Sequence, residues 1–311
     1  MSTHSASAPN RKYHFAVFGD THGHLRLMFR LCRLWQIQHR VFLDGILQCG
    51  DLGYFPNPEN LDKATRRFAR NDPEELGFRY FTRPAPQARD ARLEELLLGQ
   101  ESGYGNVRCP VYFCHGNHED FQSLSLAVDG ADCMAVDCFD RLMWLRPGYV
   151  HQLDGLAIAA LGGGAESLDT PDDDYGVDEP WKWVGSKACR ELAGKDVDLL
   201  ISHVAPMGLG GVSDRHGSRR LRRVVERMQP SYHFYAHHKD PLAPAQIGAT
   251  KCFWLNDVNF SRQGKGIRMP LEPGCMGILS WIDRARHDFQ VVTDKWFAQV
   301  DFLNWQQDLL P

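Results

Sequence analysis

The stretch VYFCHGNHED, residues 111–120, runs from four apolar residues straight into an amide, two imidazoles and two carboxylates. Short apolar runs bounded by turn residues read as buried strands, so this one predicts a strand with a polar cluster at its end. The pattern recurs on both sides: HFAVFGD (14–20), GILQCGD (45–51), LAIAALGG (156–163), VDLLISH (197–203) and YHFYAHH (232–238). Between the first two, LRLMFRLCRLWQIQHR (25–40) repeats Leu27, Met28, Leu31, Leu34 and Trp35 at helical spacing. Strand, helix, strand is an α/β beginning. Toward the C-terminus TKCFWLND, MGILSWID and DFQVVTD follow closely, with no helical stretch between the last two, which predicts an antiparallel second sheet.

Composition limits what the clusters can be. A chain of 311 residues with 43% hydrophobic content fits one large globular domain, and nothing in it resembles a disordered or fibrous sequence. Net charge is -4, so a grip on nucleic acid or another polyanion has to come from a local patch. The start, MSTHSASAPNRK, has no apolar stretch of signal-peptide length, and no segment reaches the ~20 apolar residues that span a bilayer. Nine cysteines without a CxxC pair suit reduced thiols in a core, and with them a cytoplasmic setting. Residues 52–110 break the strand pattern with helix formers, prolines and aromatics. They read either as extra helices packed outside or as an inserted lid or recognition segment, with Arg66, Arg67, Arg79 and Arg83 available for phosphate contacts.

In open α/β sheets the carboxyl ends of neighbouring strands face one crevice, so the strand endings should converge in space. Together Asp20, His22, Asp51, Asn117, His203 and His237-His238 offer oxygen and imidazole nitrogen, a donor set suited to divalent manganese, iron or zinc. A carboxylate such as Asp51 can bridge two ions. Two metals about 3.5–4 Å apart can clamp an attacking hydroxide and polarise a phosphoryl oxygen, which points to phosphoester hydrolysis.

The successive motifs DTH, GD, GNHE, SH and AHH, in this order over residues 20–238, resemble those of the calcineurin-like metallophosphoesterases. The resemblance implies a four-layered α/β/β/α sandwich with two mixed β-sheets and a pair of divalent metal ions above the strand ends. It implies that Asp20 and His22 hold the first metal, that Asp51 bridges, and that Asn117, His203 and His237 complete the second site. His118 then stabilises the transition state or protonates the leaving oxygen. Glu119 is expected to orient His118 by a hydrogen bond. The last motif departs from the family's Gly-His-x-His: the chain has Ala236-His237-His238-Lys239. Lys239 falls where an imidazole of the first site is expected, and a turn of the backbone is expected to swing His238 into that place instead.

The activity implied is that of a metal-dependent phosphoesterase. A weaker similarity to the RNA lariat-debranching branch, in the long insert after Gly50-Asp51 and the aromatic residue two places before Ala236-His237, narrows the expectation to a nucleic-acid or nucleotide phosphodiesterase. A protein serine/threonine phosphatase would use the same centre. A non-catalytic scaffold that keeps the fold has only Lys239 in its favour. In RHGSRRLRR (215–223), Arg219 and Arg220 read either as phosphate-binding groups or as a solvated helix face, outside an apolar stripe of Leu221, Val224, Val225 and Met228. The acidic run at 172–179 reads as an exposed loop. His4, His14, His24, His39, His151, His216, His233 and His287 read as surface or structural, and His115 has no assigned role.

Overall fold

The computed structural model describes residues 11–82, 90–99, 103–127, 131–153, 155–166, 181–209, 216–239, 241–260 and 269–307; His4, Arg83 and the acidic run at 172–179 lie outside them. The strands are β1 (Tyr13–Phe18), β2 (Gly45–Gln48), β3 (Val111–Phe113), β4 (Cys133–Ala135), β5 (Leu142–Leu145), β6 (Val150–Leu153), β7 (Leu156–Leu161), β8 (Leu199–Ser202), β9 (Tyr232–Tyr235), β10 (Ala245–Ile247), β11 (Thr250–Trp254), β12 (Met276–Asp283) and β13 (Arg286–Val291). The helices are α1 (Leu25–His39), α2 (Lys63–Phe68), α3 (Ala91–Leu98), α4 (Phe121–Leu126), α5 (Ser186–Leu192) and α6 (Arg219–Met228). Seven strands form one sheet in the order β13-β12-β1-β2-β3-β5-β4, and six form a second in the order β10-β11-β9-β8-β7-β6. Both are mixed. The four strands β1, β2, β3 and β5 pair in parallel, as do β7, β8, β9 and β11, while antiparallel strands flank each set.

Alternation along the strands assigns the layers. Phe15 and Val17 of β1 point one way and meet Ile158, Ile201, Tyr232 and Phe234 of the second sheet, forming the layer between the sheets. Their neighbours Ala16 and Phe18 point the other way and pack on Leu27, Met28 and Leu31 of α1. On the far side Leu161, Leu200 and Tyr235 pack beneath Leu221, Val224 and Val225 of α6 and Leu192 of α5. Helices, sheet, sheet, helices: this is the α/β/β/α sandwich. Because both faces of each sheet are covered, the central strands are apolar throughout rather than alternating with polar residues. The stripe predicted for α6 is buried, and Arg220 is buried with it.

The C-terminal runs do not build an antiparallel second sheet. β11 joins β9 in parallel in the six-stranded sheet, whereas β12 pairs antiparallel with β1 and extends the first sheet, with β13 as its outer edge. The physical reason lies in β1, whose backbone donors and acceptors on the side away from β2 need partners once they are buried. Leu279 and Trp281 of β12 also share the layer between the sheets with Phe15 and Val17.

Residues 52–110 lack a clear apolar period, and their short helices are started by caps instead. Asn57, Asp62, Asp72 and Asp90 each accept a backbone N–H from the helical turn that follows. Phe78, Phe81, Leu93 and Leu97 anchor the segment on the outer core beside α1. No helix among the described residues is long and apolar enough to cross a membrane.

Phe234 is fully buried between the sheets, 4.7 Å from the Phe289 ring centre. Phe234→Ala is expected to lower unfolding free energy by about 3–5 kcal/mol in urea titration. Leu303→Ala, at a side chain 73% exposed, should change it by less than about 0.5 kcal/mol.

Candidate metal centre

The loops after β1, β2 and β3 are bound to one another before any side chain is considered. The carbonyl of Asp51 accepts from Thr21 N–H (3.1 Å) and His22 N–H (2.7 Å), and the carbonyl of Leu52 accepts from Gly23 N–H (3.0 Å). Glu119 draws in the third loop: its carboxylate accepts from Leu52 N–H (2.8 Å), Tyr54 N–H (2.6 Å) and Gly116 N–H (3.3 Å). Gly116 is required by contact alone, because a Cβ there would lie 1.9 Å from Asp51 Oδ1. Three non-glycine residues of these motifs hold left-handed backbone, His22 (φ 42°), Asp51 (φ 47°) and His237 (φ 69°). Such conformations cost about 1–3 kcal/mol each and collect where function needs a side chain aimed against local preference.

The aim is mutual. One ligating atom from each of Asp20, Asp51, His203 and His237 falls within 4.8 Å of the others. His22 joins from the side, with Nε2 3.8 Å from both Asp20 Oδ2 and Asp51 Oδ2. Asn117 Oδ1 lies 2.9 Å from His203 Nε2, itself 3.5 Å from Asp51 Oδ2. His203 Nδ1 lies 3.2 Å from the Cys49 carbonyl and 3.3 Å from Asp20 Oδ1, both acceptors, so Nδ1 carries a proton, while Nε2 is turned to Asn117 and Asp51.

Asp20 and Asp51 are 4% and 1% exposed, and their described ion pairs are with imidazoles alone. Two carboxylates buried this deeply demand positive charge. Burial would lower the His22 and His203 values, yet Asp51 and then Asp20 outweigh it and raise them to about 9 and about 10. Without metal, protons on these rings supply the charge. His237 goes the other way, lowered to about 4 by burial and by His203, which leaves its nitrogen lone pair free to ligate. Asp20, Asp51 and His237, with the Asn117 oxygen, therefore fit divalent cations, and the protons of His22 and His203 mark where cation charge belongs.

His118 does not take its orientation from Glu119, which spends both oxygens on backbone N–H groups. Asp62 of the insert does this instead, with Oδ2 2.9 Å from His118 Nδ1, and it caps α2 as well through Thr65 N–H (2.8 Å). The sequence signal was there in Asp62-x-x-Thr65 as a helix start, but nothing local ties it to a residue 56 positions away. His238 stands apart from the quartet. At His237 the chain reverses through a tight turn closed by His238 N–H on the Ala236 carbonyl (2.8 Å), and His238 Nε2 accepts from Ala205 N–H (3.1 Å). Lys239 is exposed. Arg220 donates to the Val184 carbonyl (2.9 Å), and Arg219 begins α6 after the Ser218 cap. Of the remaining histidines, His24 bonds Thr21 and Asp72, and His233 bonds Ser202, both deep inside. His115 accepts from Trp144 Nε1 (3.3 Å), and burial lowers it to about 3.

A family model described as calcineurin-like phosphoesterase matches residues 13–241. The chain belongs to that family, hydrolases that act on phosphoester bonds through a dinuclear divalent metal centre. No curated protein matches it. Among solved structures, one aligns with TM-score 0.52 at 9% identity, covering 91% of this chain and 99% of that one. The protein TT1561 of Thermus thermophilus aligns with TM-score 0.47 at 13% identity, covering 90% and 99%. GAP50, described as the anchor in the inner membrane complex of Plasmodium, aligns with TM-score 0.46 at 14% identity, covering 96% and 94%. The protein is a metal-dependent phosphoesterase by family and by its cluster of metal-binding residues.

Raised imidazole values stabilise the metal-free protein fully below the ordinary value near 6.5, and that contribution is lost as pH rises through 9 to 10. A cation at the cluster competes with the same protons. Calorimetric titration with manganese should show proton release at pH 7 and a Kd that falls from pH 6 to pH 9; a Kd independent of pH would refute the competition. Gly116→Ala should cut bound manganese by about tenfold or more at fixed free ion, read by atomic emission, because the added carbon displaces Asp51.

Proposed function

We propose that the protein is a nucleic-acid or nucleotide phosphodiesterase, with Asp20, His22, Asp51, Asn117, His203 and His237 as metal ligands and His118 as the proton donor to the leaving oxygen. The observation that carries the substrate class is a cleft of about 1190 Å³ opening directly from Asn117 and His118. One wall is the insert, with Lys63 and Arg66; the other holds Phe121, Leu126 and Lys182. Arg66 donates to the backbone carbonyls of Leu61 and Glu59 and takes part in none of the described ion pairs. Leu126 is 80% exposed. Cations beside open apolar surface suit a leaving group that carries a base and a further phosphate, more than they suit a peptide side chain. The similarity to the lariat-debranching branch supports the same reading.

Bound at these residues, two divalent ions would supply a hydroxide nucleophile and positive charge to polarise the phosphoryl oxygen. The chain's own part is positional. Asp62 accepts a hydrogen bond from His118 Nδ1–H, which fixes the ring and leaves Nε2 to hold a second proton for the leaving oxygen. That hydrogen bond is the main cause raising the His118 value, so it keeps the ring protonated to higher pH. Lys63, Arg66 and Lys182 bind the anionic flank, while Phe121 and Leu126 exclude water from the leaving group. All nine cysteines are thiols, and all but Cys133 and Cys138 are buried, which supports a reducing compartment such as the cytoplasm.

With manganese, the protein is expected to hydrolyse bis-p-nitrophenyl phosphate, and His118→Ala to lower kcat by about 10²–10⁴-fold. Asp62→Asn should move the alkaline limb of the kcat profile to lower pH, since it removes what holds the His118 proton. Lys63→Glu with Arg66→Glu should raise KM for linear or branched RNA by about tenfold with kcat kept. Faster turnover of phosphopeptides than of any nucleotide diester would reject the substrate class.

A further inference from the structure

The first metal site ends one ligand short. Its expected imidazole is replaced in the sequence by Lys239, which is exposed, and His238 has its Nε2 lone pair committed to Ala205 N–H. The tight turn at His237 explains why: reversing the chain there carries the next side chain out of the strand's alternation and toward the loop after β8. Two carboxylates and one imidazole would leave a divalent cation with room for a further protein ligand, and the strand beside β9 on that side of the rim is β11.

That side is not bare. β11 runs parallel to β9, with Trp254 opposite Tyr235, and Leu255 N–H still bonds the Tyr235 carbonyl (2.8 Å), so both strands leave the sheet at one rim. The following residues press on the first motif. A Cβ on Gly19 would lie 2.3 Å from the Asn256 carbonyl oxygen, and Val258 N–H donates to the Asp20 carbonyl (2.7 Å). Asp257 lies between these two contacts. Its backbone N–H is taken by Asn256 Oδ1 (2.9 Å) and its carbonyl by Asn259 N–H (2.9 Å), while none of the described hydrogen bonds uses its carboxylate oxygens. The carboxylate is held in a half-buried setting where Asp20, His22, Asp51 and His203 act on it electrostatically. His22 feels Asp257 in turn.

We infer that Asp257 supplies the carboxylate that closes the first metal site, in place of the imidazole absent at Lys239. This rests on the dinuclear reading proposed above. It makes the first site three carboxylates and one imidazole, Asp20, Asp51, Asp257 and His22, a harder and more anionic set than a two-imidazole site. Such a set shifts the preference at that position away from zinc and toward manganese or magnesium, relative to a two-imidazole site.

The test uses the full chain after removal of metal and dialysis against manganese, with bound metal counted by atomic emission and the exchange-coupled pair read by electron paramagnetic resonance. Wild type and His238→Ala are expected to hold about two ions with a coupled signal. Asp257→Ala should hold about one and lose the coupling, with an unchanged circular dichroism spectrum. Asp257→His should restore the second ion and raise the zinc-to-manganese preference by about tenfold, which also guards against Asp257→Ala failing to fold. Two coupled ions in Asp257→Ala, or loss of one ion in His238→Ala alone, would overturn the assignment. A wild-type chain that takes up no metal would instead overturn the dinuclear reading beneath it.

Discussion

The constraint on which this structure turns is the burial of Asp20 and Asp51 side by side, 4% and 1% exposed, without a lysine or arginine among their described partners. Each charge would cost several kcal/mol to desolvate alone, and their mutual repulsion adds to that. Only cations, as protons on His22 and His203 or as metal, make the arrangement tolerable. The loops that hold the carboxylates are accordingly over-determined. The Asp51 carbonyl serves two N–H groups, Asp51 Oδ1 accepts from His118 N–H at 2.8 Å, and Glu119 closes three more backbone donors. Left-handed backbone at His22, Asp51 and His237 is strain that this network can hold.

The sandwich beneath exists to bring such loops to one rim. Two sheets with four parallel strands each place their carboxyl ends together, and the layer of Phe15, Val17, Ile201 and Phe234 keeps the sheets in register. A metal centre shared between sheets needs that rigidity, because a shift of an ångström between β2 and β8 would separate Asp51 from His203. The insert contributes in a different manner: its caps are polar, its anchor is a handful of aromatics, and it delivers Asp62 to His118 while walling the cleft.

Much of this is legible in the sequence, and the limits are physical. Apolar runs ending in Asp20, Asp51, Asn117, His203 and His237 identify strands and their rim, because a strand buried on both faces leaves few alternatives for its composition. The stripe of α1 is equally plain. What the runs TKCFWLND and MGILSWID do not encode is which sheet they join: pairing is decided by backbone groups of β1 and β9 left without partners, which carry no sequence signature. The Asp62 contact with His118 is hidden for the same reason, since a cap residue looks alike whether or not its second oxygen faces a distant imidazole. Glu119 misleads because adjacency to His118 suggests contact, whereas consecutive side chains leave the backbone in different directions. Asp257 sits outside every motif, and only the packing of the segment after β11 against Gly19 and Asp20 places it beside the first motif.

The central claim is that a pair of cations shares Asp51. Anomalous diffraction at the manganese edge from crystals grown with that ion tests it most directly. The account predicts two peaks about 3.5–4 Å apart with the Asp51 carboxylate between them. A single peak, or none, with Asp51 bound only to imidazolium, would contradict it.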